Sequence, residues 1–179
     1  MSTPKSAPAM TGSAAAAFIQ RDDGRVLLVH HAGTRRWVMP GGKADDGPYG
    51  GETPRQCCER EGREETGVRV TAGRLLVVQW LSIGRHGAYA PQPFACHLFV
   101  FAATITRDDH LNIRTPEGEL LGWEWWDPAE ATGAMDAANG RLLRAATRAA
   151  AGHEAAPAYL EELPTADAAA DAATGGVRQ

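Results

Sequence analysis

One stretch of this chain fixes a helix from its local signals alone. Thr53 offers an N-cap hydroxyl, Pro54 suits the first helical position, and Gln56, three residues after the cap, completes a capping box. Gly67 supplies the stop, so a helix is expected over about Pro54 to Thr66. It carries four carboxylates, Glu59, Glu61, Glu64 and Glu65, within seven residues. Glu61, Glu64 and Glu65 stand at i, i+3 and i+4 and project from one face. Like charges so placed repel by roughly a few tenths of a kcal/mol per pair on an exposed helix. A divalent cation among the oxygens turns that repulsion into ligation, and the pattern reads as a hard-metal site. The plain alternative is a solvated helix laced by Glu59–Arg63 and Arg60–Glu64 pairs, each also contributing only about a few tenths of a kcal/mol.

What precedes this helix is a brief apolar run, Trp37-Val38-Met39, then Pro40, which has no donor, then Gly41 and Gly42. Those glycines permit positive φ, and a sharp bend is expected there. Further upstream, Ala14 to Gln20 and Arg25 to His30 flank Asp23-Gly24 and read as a first hairpin. Downstream, Arg74 to Leu81 and Phe94 to Thr106 read as strands separated by the loop Ser82 to Pro93, and Leu120 to Trp126 as an aromatic-rich strand. Asp127-Pro128 breaks that strand; a short helical turn and a closing helix over Asp136 to Ala151 follow. The alternating Trp123, Trp125 and Trp126 are read as core in preference to a base-stacking surface.

With 179 residues the chain suits one well-buried domain with tails. Residues 1–12, rich in Ser, Thr, Pro and Ala, read as a disordered arm, 13–151 as the domain, and 152–179 as an Ala-rich mobile tail. The 44% hydrophobic content overstates the core, because much of it is alanine near Ala14 to Ala17 and after Ala145. A net charge of -4 argues against binding a nucleic-acid polymer, and a small phosphorylated molecule bound through cations stays compatible with it. Cys57, Cys58 and Cys96 cannot all pair internally and lack zinc-ligand spacing, which suits a reducing cytoplasm. No segment approaches the ~20 apolar residues that span a bilayer, so no membrane partner is expected.

Gly42, Glu52, Arg60, Glu61, Glu64, Glu65, Gly67 and Val68 together resemble the Nudix box, G-x5-E-x7-R-E-U-x-E-E-x-G-U, where U is a bulky aliphatic residue. From Glu52 to Val68 the spacing matches that pattern. Trp37 to Lys43 is similar to the strand and loop that enter the box, and the resemblance extends over roughly residues 14 to 131. Two departures stand out. Nine residues instead of five separate Gly42 from Glu52, an insertion of four within Asp45 to Gly51 that should bulge as a loop and leave the helix intact. Gly62 occupies the aliphatic position, at a helix-interior cost of about 1 kcal/mol relative to alanine.

The resemblance implies an α+β fold, an α/β/α sandwich with a mixed, curved sheet between helices. It implies a metal-dependent hydrolase that cleaves a diphosphate linkage in a nucleoside diphosphate-X or a nucleoside triphosphate. Glu61, Glu64, Glu65 and the Gly42 carbonyl would bind Mg2+ or Mn2+, with Glu117 or Glu119 as a further acidic ligand. Glu61 or Glu64 would act as base, and Arg60 and Glu52 would orient helix and loop. Arg35, Arg36, Lys43 and Trp80 are candidate substrate contacts. The six histidines show no ligand spacing. A non-catalytic Nudix-fold nucleotide-binding module is the competing reading, although such modules generally lose box glutamates that this chain retains. Terminal arms that could exchange between subunits leave the oligomeric state open, a homodimer included.

Overall fold

The computed structural model describes residues 11–45, 51–82, 95–153 and 157–162. In chain order the elements are β1 (Thr11–Ile19), β2 (Val26–His31), β3 (Arg36–Val38), β4 (Gly41–Lys43), α1 (Pro54–Thr66), β5 (Thr71–Leu81) and β6 (Ala95–Thr104). A short 3-10 turn (Asp108–Leu111), β7 (Leu120–Trp126), α2 (Pro128–Ala134), α3 (Ala137–Ala150) and β8 (Ala158–Glu162) complete them. Five strands form a mixed sheet in the order β4-β1-β6-β5-β8, and three form a second sheet, β3-β2-β7. The α+β class is as expected. α1 packs on one face of the large sheet and α3 on the other.

Residue size explains how the helices come close. In the interior strand β1, Ala15, Ala17 and Ile19 face α1 with Phe101, packing on Cys57, Cys58, Val68 and Val70. Ala16 and Phe18 face the other way with Val77 and Val100, onto Leu142, Leu143 and Ala146 of α3. The alanine run thus belongs to the core: Ala14 to Ala17 are all buried. An interior strand covered on both faces reads as a continuous apolar run, and small side chains let helix backbones approach.

Several expectations are corrected by long-range pairing. The Asp23-Gly24 turn forms, with Gly24 at φ 86 and the Arg21 N–H donating to the Arg25 carbonyl. The hairpin ends, however, at a single bridge between Gln20 and Val26, after which β1 and β2 diverge into different sheets. Both strands are buried on both faces, and a two-stranded ribbon cannot cover four faces. At the N-terminus, Thr11 and Gly12, read as part of the arm, pair with Ala95 and Cys96 in parallel register. At the other end, Ala158–Glu162, read as mobile tail, adds to the sheet edge in parallel register with Val77 to Leu81. Residues 83–93 of the expected loop lie outside the described residues. Among the described residues, no helix is long and apolar enough to cross a membrane.

Candidate active site

Helix α1 forms with the boundaries its sequence signals set. Thr53 accepts from the Gln56 N–H while the Gln56 side chain accepts from the Thr53 N–H, Pro54 is the first residue, and Gly67 closes the helix at φ 70. Such a cap contributes about 1 kcal/mol and, more to the point, fixes which residues face the sheet. The rotational setting places Cys57, Glu61 and Glu65 toward β1 and β4.

Gly41 and Gly42 take the backbone that the short strand β4 requires, with neither in the left-handed region, so the expected bend is not their purpose. They create space. A Cβ on Gly41 would lie 2.7 Å from the Ala16 Cα, and one on Gly42 would lie 2.7 Å from Oε2 of Glu61. Gly42 thereby brings the Glu61 carboxylate against its backbone, while the Gly41 N–H donates to Oε2 of Glu65 at 2.8 Å.

Arg60 organises the acidic groups around it. Its Nε and Nη2 hold the two Glu52 oxygens at 3.0 and 2.9 Å, and Nη2 also donates to the Lys43 carbonyl at 2.9 Å. Nη1 contacts Glu61 at 3.0 Å and Glu64 at 2.9 Å. Asp45, at 3.6 Å from Nε, and the Asp45 carbonyl, which accepts from the Glu52 N–H, tie the base of the inserted loop to this arginine. Residues 46–50 of the insertion lie outside the described residues, and the helix beyond it is intact. The hydrogen bonds from Arg60 lower the Glu52 pKa and, reciprocally, raise that of Arg60. Bidentate charge-assisted pairs of this kind are among the stronger side-chain interactions.

Burial raises the proton affinity of Glu65 and Glu61. Glu65, only 3% exposed, has its pKa pushed up to about 8, first by burial and then by the charges of Glu61, Glu119 and Glu64, against the Gly41 hydrogen bond. Burial also raises Glu61, opposed by Arg60 and reinforced by Glu64 and Glu119. Glu64 has a half-exposed side chain. Glu119 is the acidic loop residue brought to the cluster, because its backbone carbonyl accepts from the Ala32 N–H and β7 begins immediately after it. Glu117 is not among the charges acting on Glu61 or Glu65.

Among the described residues, no three acidic, histidine or cysteine side chains stand as a group that encloses an ion. Arg60 lies against Glu61 and Glu64, and Glu65 turns to Gly41. The donor chemistry nonetheless fits a hard divalent cation: the set is carboxylate and backbone oxygen, its buried members are disfavoured as unpaired anions, and Gly42, lacking a Cβ, leaves room for the Glu61 carboxylate against its backbone.

The remaining candidates disperse. Lys43 ends β4 with its side chain exposed, Arg36 pairs with Asp136 at 3.5 Å, and Arg35 sits exposed in the β2–β3 turn. Trp80 rests edge-on against His97, with centroids 4.8 Å apart. Trp123 and Trp125 pack on the α1 side of the core and Trp126 on the α3 side. His30 stacks on Trp37 and His110 leans on Trp125, while His86 lies outside the described residues. Glu59 accepts from the Ala72 N–H at 3.0 Å and, among the described residues, makes no ion pair with Arg63. Cys57 was missed: its thiol donates to the Gly42 carbonyl at 3.5 Å. Its position four residues before Glu61 was the available signal.

Glutamates set at three depths by one helix against a glycine strand are the arrangement that the Nudix resemblance implies. The chain belongs to the Nudix family: the family model described as the NUDIX domain matches residues 10–146. A NUDIX hydrolase from Nitrosomonas europaea superposes with a TM-score of 0.62 at 19% identity, over 87% of this chain and 80% of that one. A C. elegans Ap4A hydrolase gives 0.59 at 22%, over 79% and 99%, and a UDP-X diphosphatase 0.58 at 23%, over 88% and 70%. At such identities the likeness speaks to the fold. No curated protein sequence matches the chain.

Proposed function

We propose that this chain hydrolyses a diphosphate linkage in a nucleoside diphosphate-X or nucleoside triphosphate, using Mg2+ or Mn2+. Glu61, Glu64, Glu65 and the Gly42 carbonyl would hold the cation, with Glu119 beside them. When bound, it neutralises phosphate oxygens and lowers the pKa of water. Arg60 and Glu52 keep α1 in register with β4, and Glu61 or Glu64 takes the proton from the attacking water. The half-exposed Glu64 suits that task, since a base must meet solvent.

The observation that carries this reading is the seating of Glu61 on Gly42 and of Glu65 on Gly41, because it delivers two carboxylates to one short stretch of backbone. Solved structures of the same fold named as a UDP-X diphosphatase and an Ap4A hydrolase support the substrate class. The test is a phosphate-release screen over nucleoside triphosphates and diphosphate-linked nucleotides with Mg2+, on the parent and on Glu64→Gln. The parent should turn over, and the variant should fall at least about a hundredfold, the scale of a lost acid-base or metal group. Equal rates in both would reject the catalytic assignment of Glu64, and no turnover by the parent would favour a nucleotide-binding module.

A further inference from the structure

Strand β4 lies at the edge of the large sheet, and side chains of α1 hold each of its three residues. The Gly41 N–H donates to Oε2 of Glu65 at 2.8 Å, and the Lys43 carbonyl accepts from Nη2 of Arg60 at 2.9 Å. Between them, the Gly42 carbonyl accepts from the Cys57 thiol at 3.5 Å. Glu65 and Arg60 belong to the box pattern, whereas Cys57 falls in its unspecified stretch between Glu52 and Arg60.

The middle contact has the most to hold. At Gly42 the Glu61 carboxylate rests against bare backbone, where a Cβ would lie 2.7 Å from Oε2. As an edge strand, β4 pairs with β1 on one side only. Its covalent tie to α1 is long, since nine residues separate Gly42 from Glu52, and a longer loop fixes its ends less tightly. Side-chain contacts therefore set how closely Gly42 approaches the helix, and Cys57 stands one helical turn from Glu61.

Cys57 is wholly buried, and its surroundings keep it a donor. Burial first, then the charges of Glu52 and Glu61, push the thiol's pKa up to about 12, so the proton stays on sulfur. Cys58 supplies a comparison within the same helix. It is equally buried, and its thiol also donates to a strand carbonyl, that of Ala16 in β1, at 3.6 Å. The carboxylate whose charge acts on Cys58 is Glu59, which is outside the proposed metal ligands. Two thiols of like burial and like bonding thus differ in what they hold.

We propose that Cys57 is a positioning residue, whose thiol pins the Gly42 backbone to α1 and so fixes the seat from which Glu61 meets the cation. This rests on the metal-dependent pyrophosphohydrolase reading, yet it is measurable as metal affinity without turnover. Groups that orient metal ligands typically contribute about 10–100-fold in metal affinity or activity.

Three variants separate the hydrogen bond from the packing. Cys57→Val keeps the bulk and removes the donor, Cys57→Ser keeps a donor and loses bulk, and Cys58→Val removes the neighbouring bond as the control. Should Cys57→Val not fold, Cys57→Ala takes its place. Melting temperature, the Kd of Mn2+ from the electron paramagnetic resonance signal of the free ion, and kcat and KM on the best nucleotide are measured for each. In Cys57→Val the Mn2+ Kd should rise about tenfold and kcat should fall about tenfold, with KM within about twofold. Cys57→Ser should bring Kd and kcat back to within about threefold of the parent, since its hydroxyl donates to the same carbonyl. Cys58→Val should leave Kd and kcat within about twofold of the parent, whatever its melting temperature. An unchanged Kd in Cys57→Val, an equal rise in Cys58→Val, or a Cys57→Ser that binds as weakly as Cys57→Val would overturn the proposal. A parent that binds no Mn2+ overturns it together with the metal reading. If Mn2+ binding depends on Cys57 while the parent turns over no nucleotide, the positioning role stands and the hydrolase reading falls.

Discussion

Adjacent glycines with different tasks give the sharpest test of the site. In Gly42→Ala, Oε2 of Glu61 must move from 2.7 Å to the 3.4 Å of ordinary van der Waals contact, a retreat of 0.7 Å, with its other carboxylate atoms displaced at least as far. That carboxylate is the tip of a flexible side chain, so the fold can give way there. Replacing a strand glycine by alanine also removes about 0.5–1 kcal/mol of backbone entropy cost. The net stability change should stay within about 1 kcal/mol. Activity should not survive as well, since misplacing a reacting group by about 1 Å costs on the order of a hundredfold. In Gly41→Ala the obstacle is backbone: the Ala15 carbonyl and the Ala16 Cα, the latter at 2.7 Å. Strand β1 would have to shift, and destabilisation of about 2 kcal/mol or more is expected, as for an overpacked core. Urea unfolding paired with kcat/KM on each variant separates the two. A fully active Gly42→Ala, or one as unstable as Gly41→Ala, would refute the claim that Gly42 exists to seat Glu61.

Other outcomes follow from the same contacts. A double-mutant cycle of Arg60→Met and Glu52→Gln, followed by urea unfolding, should yield a coupling of about 2–3 kcal/mol, because both side chains are largely buried and doubly bonded. A coupling below about 0.5 kcal/mol would reduce the pair to a surface bridge. Since Arg60 depresses the Glu52 pKa, the pair's contribution should be complete above the ordinary value of 4.5 and lost as pH falls through the lower folded value. Glu52→Gln should flatten that acid limb in a stability–pH series. At Gly62 an added Cβ would lie 3.0–3.1 Å from the Val70 side chain, so Val70 already fills the place of the missing aliphatic residue. Gly62→Ala should therefore gain less than the ~1 kcal/mol of helix propensity, and Gly62→Leu should destabilise by about 1–3 kcal/mol in thermal unfolding.

Helix α1 was legible in the sequence from Thr53 to Gly67 because caps, stops and a 3.6-residue period are local devices that act within one turn. So was the grouping of its glutamates, while the partnership of Arg60 with Glu52 was implied by the Nudix resemblance. Tertiary structure alone decided where β1 and β2 part company, that the distal residues 158–162 add a strand, and that Gly41 and Gly42 are flat strand residues chosen for closeness. It also decided that Glu119 lies near enough for its charge to act on Glu61 and Glu65, and that Cys57 bonds the Gly42 carbonyl. These features depend on pairing between residues tens of positions apart. Strand register and helix approach are set by how whole faces are covered, and no short stretch of sequence carries that information.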